Sequence, residues 1–117
     1  RIRFIQADMF PWLRDTRPSG QRYDVVILDP AKQTRSREEI DLALKKYLDM
    51  NRLALMAVAP GGLFVTCSCT GLVSEEVFLD TIRRAREAVS VGAIRSYSTS
   101  PISLAPRGDS TVFFVSQ

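Results

Sequence analysis

The only two cysteines of this 117-residue chain lie two positions apart, in the stretch LFVTCSCTG at residues 63–71. A thiol at the end of an apolar run can fill a core, bind a metal, form a redox pair or act as a nucleophile. A zinc site at Cys67 and Cys69 is disfavoured, because such a site wants four ligands and the chain contains no histidine. A disulfide between them is awkward, because same-face strand positions hold their side chains parallel. Inert packing is therefore the simplest interpretation of Cys67.

Two acidic residues also end apolar stretches. Asp8 ends IRFIQAD at residues 2–8, and Asp29 with Pro30 ends YDVVILDP at residues 23–30. Taken alone, Asp8 is equally well explained as a helix cap, and an Asp-Pro pair is a common start of a turn. Because histidine, the commonest general base, is absent, any chemistry must rest on carboxylates, thiols, lysine, tyrosine or a bound cofactor.

The elements that must position these residues alternate between strands and helices. Continuous apolar runs, typical of strands buried on both faces, occur at residues 23–30 and 63–69. Further strands are predicted at residues 2–8, 92–98 and 110–117. A short helix is predicted at residues 9–16, a second from an S-x-x-E capping box at Ser36 and Glu39 through Val58, and a third from Ser74, with Pro60-Gly61-Gly62 ending the second.

This order of elements predicts an α/β fold with a mostly parallel sheet. The last two strands have no helix between them, so they should form an antiparallel pair at one edge. Ligands of open α/β sheets bind beyond the carboxyl ends of the strands. If the strands are parallel, Asp8, Asp29-Pro30 and Cys67-Ser68-Cys69 share one crevice.

Composition sets limits on the class of protein. The length allows at most one domain, and 45% apolar with 25% charged residues is an ordinary globular balance. No segment approaches the roughly 20 apolar residues that a membrane span needs, and two thiols without a sign of export favour the cytoplasm. The net charge of +3 is a mild bias toward anionic partners. RIRFIQAD opens in mid-strand, which suggests a fragment of something longer.

Several stretches together resemble a known family. FIQAD, YDVVILDPAK and KKYLDMN…APGGLFVTCSCTGLV are similar to the back half of class I S-adenosylmethionine-dependent methyltransferases. The likeness covers nearly the whole chain and is strongest to the ribosomal RNA cytosine carbon-5 methyltransferases. PGG before a strand is weakly specific. The combination of Asp29-Pro30-x-Lys32, Tyr47 with Asn51, and Ser68-Cys69-Thr70-Gly71 is much more specific.

The resemblance implies a partial Rossmann-like methyltransferase fold with helices on both faces of the sheet. Residues 1–117 would be the carboxyl-terminal part of a single methyltransferase domain, without the glycine-rich cofactor half. The implied cofactor is S-adenosyl-L-methionine and the implied partner is RNA, most naturally ribosomal. Exposed sheet edges leave a homodimer as an option.

The resemblance also implies a role for individual residues. In such enzymes the acid matching Asp8 contacts the adenine of the cofactor, with Met9 beside the ring, and the Asp29-Pro30 pair lies near the methyl donor and the target base. The cysteine matching Cys69 is the nucleophile. The resemblance thus implies Cys69 and Asp29 as catalytic residues, Lys32 as a substrate contact, and a cofactor site of Asp8, Met9, Asp29 and Pro30.

The chemistry of cytosine explains why a thiol is needed. Carbon-5 is a poor nucleophile until a thiolate adds to carbon-6 and makes the ring enamine-like. A base then removes the carbon-5 proton, and the thiol is expelled. The target base must leave its stack to reach such a pocket. Lys32, Arg35 and Arg37 are either a phosphate-contacting patch or an ordinary solvated loop.

Two departures from the family pattern keep other functions open. Ala31 stands where the family has a second proline, and Gln33 stands where it has an aromatic that could stack on the flipped base. One alternative is a methyltransferase that acts on a nitrogen atom or a protein side chain without cysteine catalysis. Another is a non-catalytic RNA-binding module of the same fold.

Overall fold

Helices and strands alternate along the part of the chain that the computed structural model describes, namely residues 2–68 and 71–89 and the backbone of two later strands. The elements are α1 (Met9–Thr16), β1 (Tyr23–Leu28), α2 (Ile40–Met56), β2 (Val58–Ser68), α3 (Glu75–Glu87), β3 (Arg95–Ser98) and β4 (Thr111–Ser116). A 3-10 turn (Arg37–Glu39) precedes α2. Within these residues, no helix combines the length and the apolar character that crossing a bilayer requires.

The strands form one sheet in the order β1-β2-β4-β3. β1 and β2 are parallel, with Val26 opposite Phe64 and Leu28 opposite Thr66. β4 is antiparallel to both β2 and β3, so β3 runs in the same direction as β1 and β2. This topology confirms the predicted α/β fold with an antiparallel carboxyl-terminal pair at one edge.

The three helices pack on a single face of this sheet. One hydrophobic cluster joins Leu28 and Phe64 of the sheet to side chains of α2 and α3, and Phe10 of α1 packs against it. Fully burying a side chain as large as Phe64 contributes roughly 1.5–3 kcal/mol to folding. On the opposite face of β1, Val25 and Ile27 are 55% and 67% exposed. The expectation of helices on both faces therefore differs from the structure, in which the described helices cover one face.

The junction between α2 and β2 lies earlier than the sequence suggested. α2 ends at Met56, and β2 already begins at Val58, which pairs with Tyr23 before the register between the two strands shifts. A Cβ atom at Gly62 would lie 2.8 Å from the carbonyl oxygen of Ala59 and 2.9 Å from that of Asp24. Gly62 therefore permits a close backbone approach within an irregular part of β2 rather than ending the helix.

The start of α2 does not use the predicted capping box. Ser36 makes no side-chain cap hydrogen bond. The hydroxyl of the buried Thr34 instead donates to the carbonyl oxygen of Ser36 at 2.7 Å and accepts from the Ser36 N–H at 3.2 Å. Glu39 Oε2 lies 3.4 Å from the same hydroxyl rather than reaching back to Ser36. A threonine turn thus replaces the box, because it already satisfies the Ser36 peptide groups.

The strand predicted at residues 2–8 is not formed. These residues are extended but pair with no strand in the described part of the chain. Ile2 and Phe4 are 82% and 91% exposed. A strand depends on hydrogen bonds to a neighbour, and an apolar run without one has no reason to be regular. A homodimer formed through exposed sheet edges stays a prediction.

Candidate functional site

The carboxyl ends of β1 and β2 form one rim of the sheet. Asp29 and Pro30 directly follow Leu28, the last residue of β1, which lies opposite Thr66 of β2. Ser68 is the last residue of β2, two positions after Thr66. The parallel pairing therefore brings the Asp29-Pro30 step and the end of β2 together, as the alternating pattern predicted. Cys69 and Thr70 lie outside the described residues.

Helix α1 begins near the carboxyl ends of the strands and runs away from them. Arg14 lies 3.5 Å from the carboxylate of Asp49 on α2. Further along both helices, Arg17 and Met56 line the same small cleft. α1 and α2 therefore run in the same direction. Since α2 starts near the carboxyl ends of the strands, Asp8 at the start of α1 lies toward that end as well.

Asp8 is a helix cap with one oxygen to spare. Its Oδ1 accepts a hydrogen bond from the Phe10 N–H at 3.0 Å, which confirms the capping interpretation. Its Oδ2 has no hydrogen-bond partner among residues 2–68 and 71–89. The side chain is exposed, and the following Met9 is half-buried against the core. A carboxylate oxygen at this position can accept from a ligand while the other holds the helix.

The loop after Asp29 is tied to itself and presents cations outward. Gln33 donates a side-chain hydrogen bond to the carbonyl oxygen of Ala31, and Thr34 is buried beneath the loop. Asp29, Lys32 and Arg35 are exposed, whereas Pro30 is half-buried. In the described part of the chain, neither Lys32 nor Arg35 has an ion-pair partner within 4.0 Å. The arrangement suits contact with a phosphate backbone, and Gln33 adds no aromatic surface.

A buried polar contact lies under the rim, and reasoning from sequence did not assign it a role. Tyr47 of α2 is fully buried, and the Ser68 hydroxyl donates to its Oη at 3.5 Å. The only signal in the sequence was the spacing of Tyr47 and Asn51, whose side chains share one face of α2. Cys67 is half-buried and, by strand alternation, points away from the face that carries Ser68 and the helices.

The known proteins and solved structures described next, to which this chain is similar, are all named as methyltransferases. No family profile matches the chain. Ribosomal RNA large subunit methyltransferase I of Vibrio cholerae is 41% identical over 85 residues, which are 73% of this chain and 21% of that protein. The proteins of the same name from Aeromonas salmonicida and Shewanella frigidimarina are 36% and 34% identical over 90% and 92% of this chain, and 28% of their own lengths.

Solved structures agree on the fold. A Streptococcus mutans protein assigned as a SAM-dependent methyltransferase superposes with a TM-score of 0.71 at 18% identity, over 95% of this chain and 30% of that one. A second protein assigned as a methyltransferase, solved in complex with SAH (S-adenosylhomocysteine), has a TM-score of 0.68 at 17% identity and the same coverage. This chain spans about a fifth to somewhat over a quarter of the curated relatives it matches. It has the fold of part of a SAM-dependent methyltransferase.

Proposed function

We propose that residues 1–117 are the carboxyl-terminal part of the catalytic domain of a ribosomal RNA methyltransferase that modifies carbon-5 of cytosine. The parallel pairing of β1 and β2 carries the proposal, because it brings the Asp29-Pro30 step beside the strand end that precedes Cys69. The relatives named ribosomal RNA large subunit methyltransferase I support the choice of RNA. A ribosomal RNA substrate and two thiols favour the cytoplasm.

S-adenosylmethionine is the cofactor that these residues would take. Asp8 Oδ2 fits an acceptor for the amino group of an adenine, because the cap occupies only Oδ1. Met9 supplies apolar surface beside it, and Asp29 with Pro30 lies at the end of the neighbouring strand. When bound, the cofactor supplies an electrophilic methyl group on a sulfonium. The chain's own residues bind it at one side of the rim and the target base at the other.

In the proposed reaction, the Cys69 thiolate forms a bond to carbon-6 of a cytosine that has left its stack. The electron pair moves to carbon-5, which takes up the methyl group. A base then removes the carbon-5 proton, and the sulfur–carbon bond breaks to free the thiolate. Asp29 contacts the cytosine and holds its ring against the thiol. Lys32 and Arg35, both exposed, contact the RNA backbone beside the site.

Transfer of a labelled methyl group from S-adenosylmethionine tests this function. The complete protein that contains this segment is incubated with large-subunit ribosomal RNA free of modification, and the RNA is digested to nucleosides. The expected product is 5-methylcytidine. Label in a nitrogen-methylated nucleoside or in protein would contradict carbon-5 chemistry. RNA binding that falls steeply with salt, without any methyl transfer, would instead indicate a binding module.

Replacing Asp8 with asparagine separates its capping role from its cofactor role. The asparagine can keep Oδ1 on the Phe10 N–H, but it then presents an NH₂ donor to the adenine amino group. Losing a hydrogen bond to a charged group costs roughly 1.5–3 kcal/mol, so the Kd for S-adenosylhomocysteine should rise at least about tenfold. Calorimetry on the complete protein measures this, with the thermal unfolding midpoint unchanged.

The matched control for this substitution lies on the same helix. Asp15 is an exposed acid at the far end of α1, so Asp15→Asn makes the same chemical change away from the rim. We expect it to leave the Kd for S-adenosylhomocysteine unchanged. Equal affinities for the two variants would remove Asp8 from the cofactor site.

A further inference from the structure

A hydrogen bond joins the middle of α2 to the last residue of β2. The Ser68 hydroxyl donates to Tyr47 Oη at 3.5 Å, and both residues are buried, at 3% and 0% exposure. The two residues are 21 positions apart in sequence. The contact therefore depends on how α2 lies across the sheet and not on local chain geometry.

Packing alone does not account for this hydroxyl. The Tyr47 ring meets Phe78 edge to face, with centroids 5.4 Å apart and planes at 78°. A phenylalanine at position 47 would fill the same space and make the same ring contact, without burying a polar atom that must be hydrogen-bonded. The hydroxyl thus adds an attachment for Ser68 rather than volume to the core.

The polar layer continues inward from this contact. Asn51 Nδ2 donates to the carbonyl oxygen of Tyr47 at 2.7 Å and so supports the turn of α2 that carries the tyrosine. Asn51 lies one helical turn after Tyr47, and Thr66 lies two residues before Ser68 in β2. Both steps cover roughly 6 Å in the same direction, so Asn51 and Thr66 lie at the same height along the sheet. Asn51 Oδ1 and Thr66 Oγ1 are buried without a hydrogen-bond partner in the described part of the chain. Burying polar side chains without full hydrogen bonding lowers the stability of the fold compared with apolar side chains in the same place. This cost suggests that the polar residues serve to position the end of β2.

We propose that Tyr47 is a positioning residue for the reaction, acting through Ser68 on the strand end from which Cys69 continues. The inference rests on the proposed function. A thiol that adds to carbon-6 must approach one face of the ring at about 3–3.5 Å, and small misplacements at that distance slow the reaction strongly. The hydrogen bond to Tyr47 holds the side chain of Ser68, the last residue of β2, in one orientation. Tyr47 is fully buried, which leaves its hydroxyl no surface for contact with RNA, so its loss should lower kcat and leave KM for RNA unchanged.

Single-turnover methyl transfer by the complete protein tests this role. Tyr47→Phe removes only the hydroxyl and keeps the contact with Phe78, and Ser68→Ala removes the other partner. We expect each substitution to lower the rate about tenfold with unchanged RNA affinity, and the double variant to be no slower than either single one. The control is Tyr23→Phe, at the amino end of β1, where the ring stacks on Trp12 with centroids 6.3 Å apart. Its rate should equal that of the unsubstituted protein.

Two results would overturn the inference and leave the proposed function standing. One is a native rate for Tyr47→Phe, and the other is losses for Tyr47→Phe and Ser68→Ala that multiply in the double variant. If the unsubstituted protein transfers no methyl group, the proposed function fails. The role of Tyr47 is then tested by a second measurement. The alkylation rate of Cys69 by iodoacetamide is then followed by peptide mass spectrometry, with Cys67 as internal reference. Tyr47→Phe should change the rate at Cys69 at least about threefold and leave Cys67 unchanged, and equal rates at Cys69 would overturn it.

Discussion

Replacing Cys69 with alanine is expected to lower methyl transfer by the complete protein roughly 10⁴-fold or more, because a covalent route has no substitute once its nucleophile is removed. Without a sulfur bond at carbon-6, carbon-5 of cytosine is too weak a nucleophile to take the methyl group. The same variant should form no covalent complex with RNA that carries 5-fluorocytosine, in which the fluorine cannot leave as a proton does. Denaturing gel electrophoresis of the protein–RNA mixture measures the complex directly.

Cys67 provides the matched control for this experiment. It lies two residues earlier in β2, is half-buried, and points to the face of the sheet opposite Ser68. Cys67→Ala removes a thiol of the same kind and should keep both the adduct and at least about a third of the rate, because Cys67 points to the opposite face of the sheet from Ser68. An adduct that survives in Cys69→Ala, or one that disappears in Cys67→Ala, would show that Cys69 is not the nucleophile.

Asp29→Asn is expected to slow methyl transfer about 100-fold, because a small misplacement of a reacting ring can cost a factor of that size. Asp29 is exposed directly after β1, at the rim shared with the end of β2. The substitution keeps the size of the side chain and removes its charge and part of its hydrogen-bonding capacity toward the cytosine. Single-turnover rates at saturating RNA and cofactor measure the effect on the chemical step.

The control for Asp29→Asn is the same substitution at Asp24, which lies within β1. It is an exposed acid near the amino end of β1, away from the rim. Asp24→Asn makes the same change in net charge and should leave the rate unchanged. If both variants slowed equally, the effect of Asp29→Asn would reflect the overall charge of the protein rather than a contact at the rim.

The elements that the sequence predicts well are those whose signals are local. The apolar run from Tyr23 to Leu28 and the apolar run that ends at Ser68 form β1 and β2, and they pair in parallel as continuous apolar runs predict. Asp8 and Ser74 cap helices through hydrogen bonds within the next three residues, so their neighbours in sequence are sufficient to identify them. Alternation of strand and helix is likewise enough to bring Asp29 beside the end of β2.

The features that were missed depend on partners distant in the chain. β2 begins at Val58 because Tyr23 pairs with it, although Pro60-Gly61-Gly62 favour a turn when considered alone. Residues 2–8 have the composition of a strand but no strand beside them among the described residues. Thr34 competes with Ser36 for the same peptide groups, and sequence does not show which hydroxyl is buried. The contact of Tyr47 with Ser68 follows only from the packing of α2 on the sheet.

The exposed side of β1 has a practical consequence for producing the protein. β1 is the outermost of the described strands, and Val25 and Ile27 project from its uncovered face. A recombinant polypeptide limited to residues 1–117 would display an unsatisfied backbone edge beside two large apolar side chains, a combination that recruits strands from other molecules. We expect such a polypeptide to precipitate as inclusion bodies. Expression of the complete chain is therefore the suitable starting material for every assay described above.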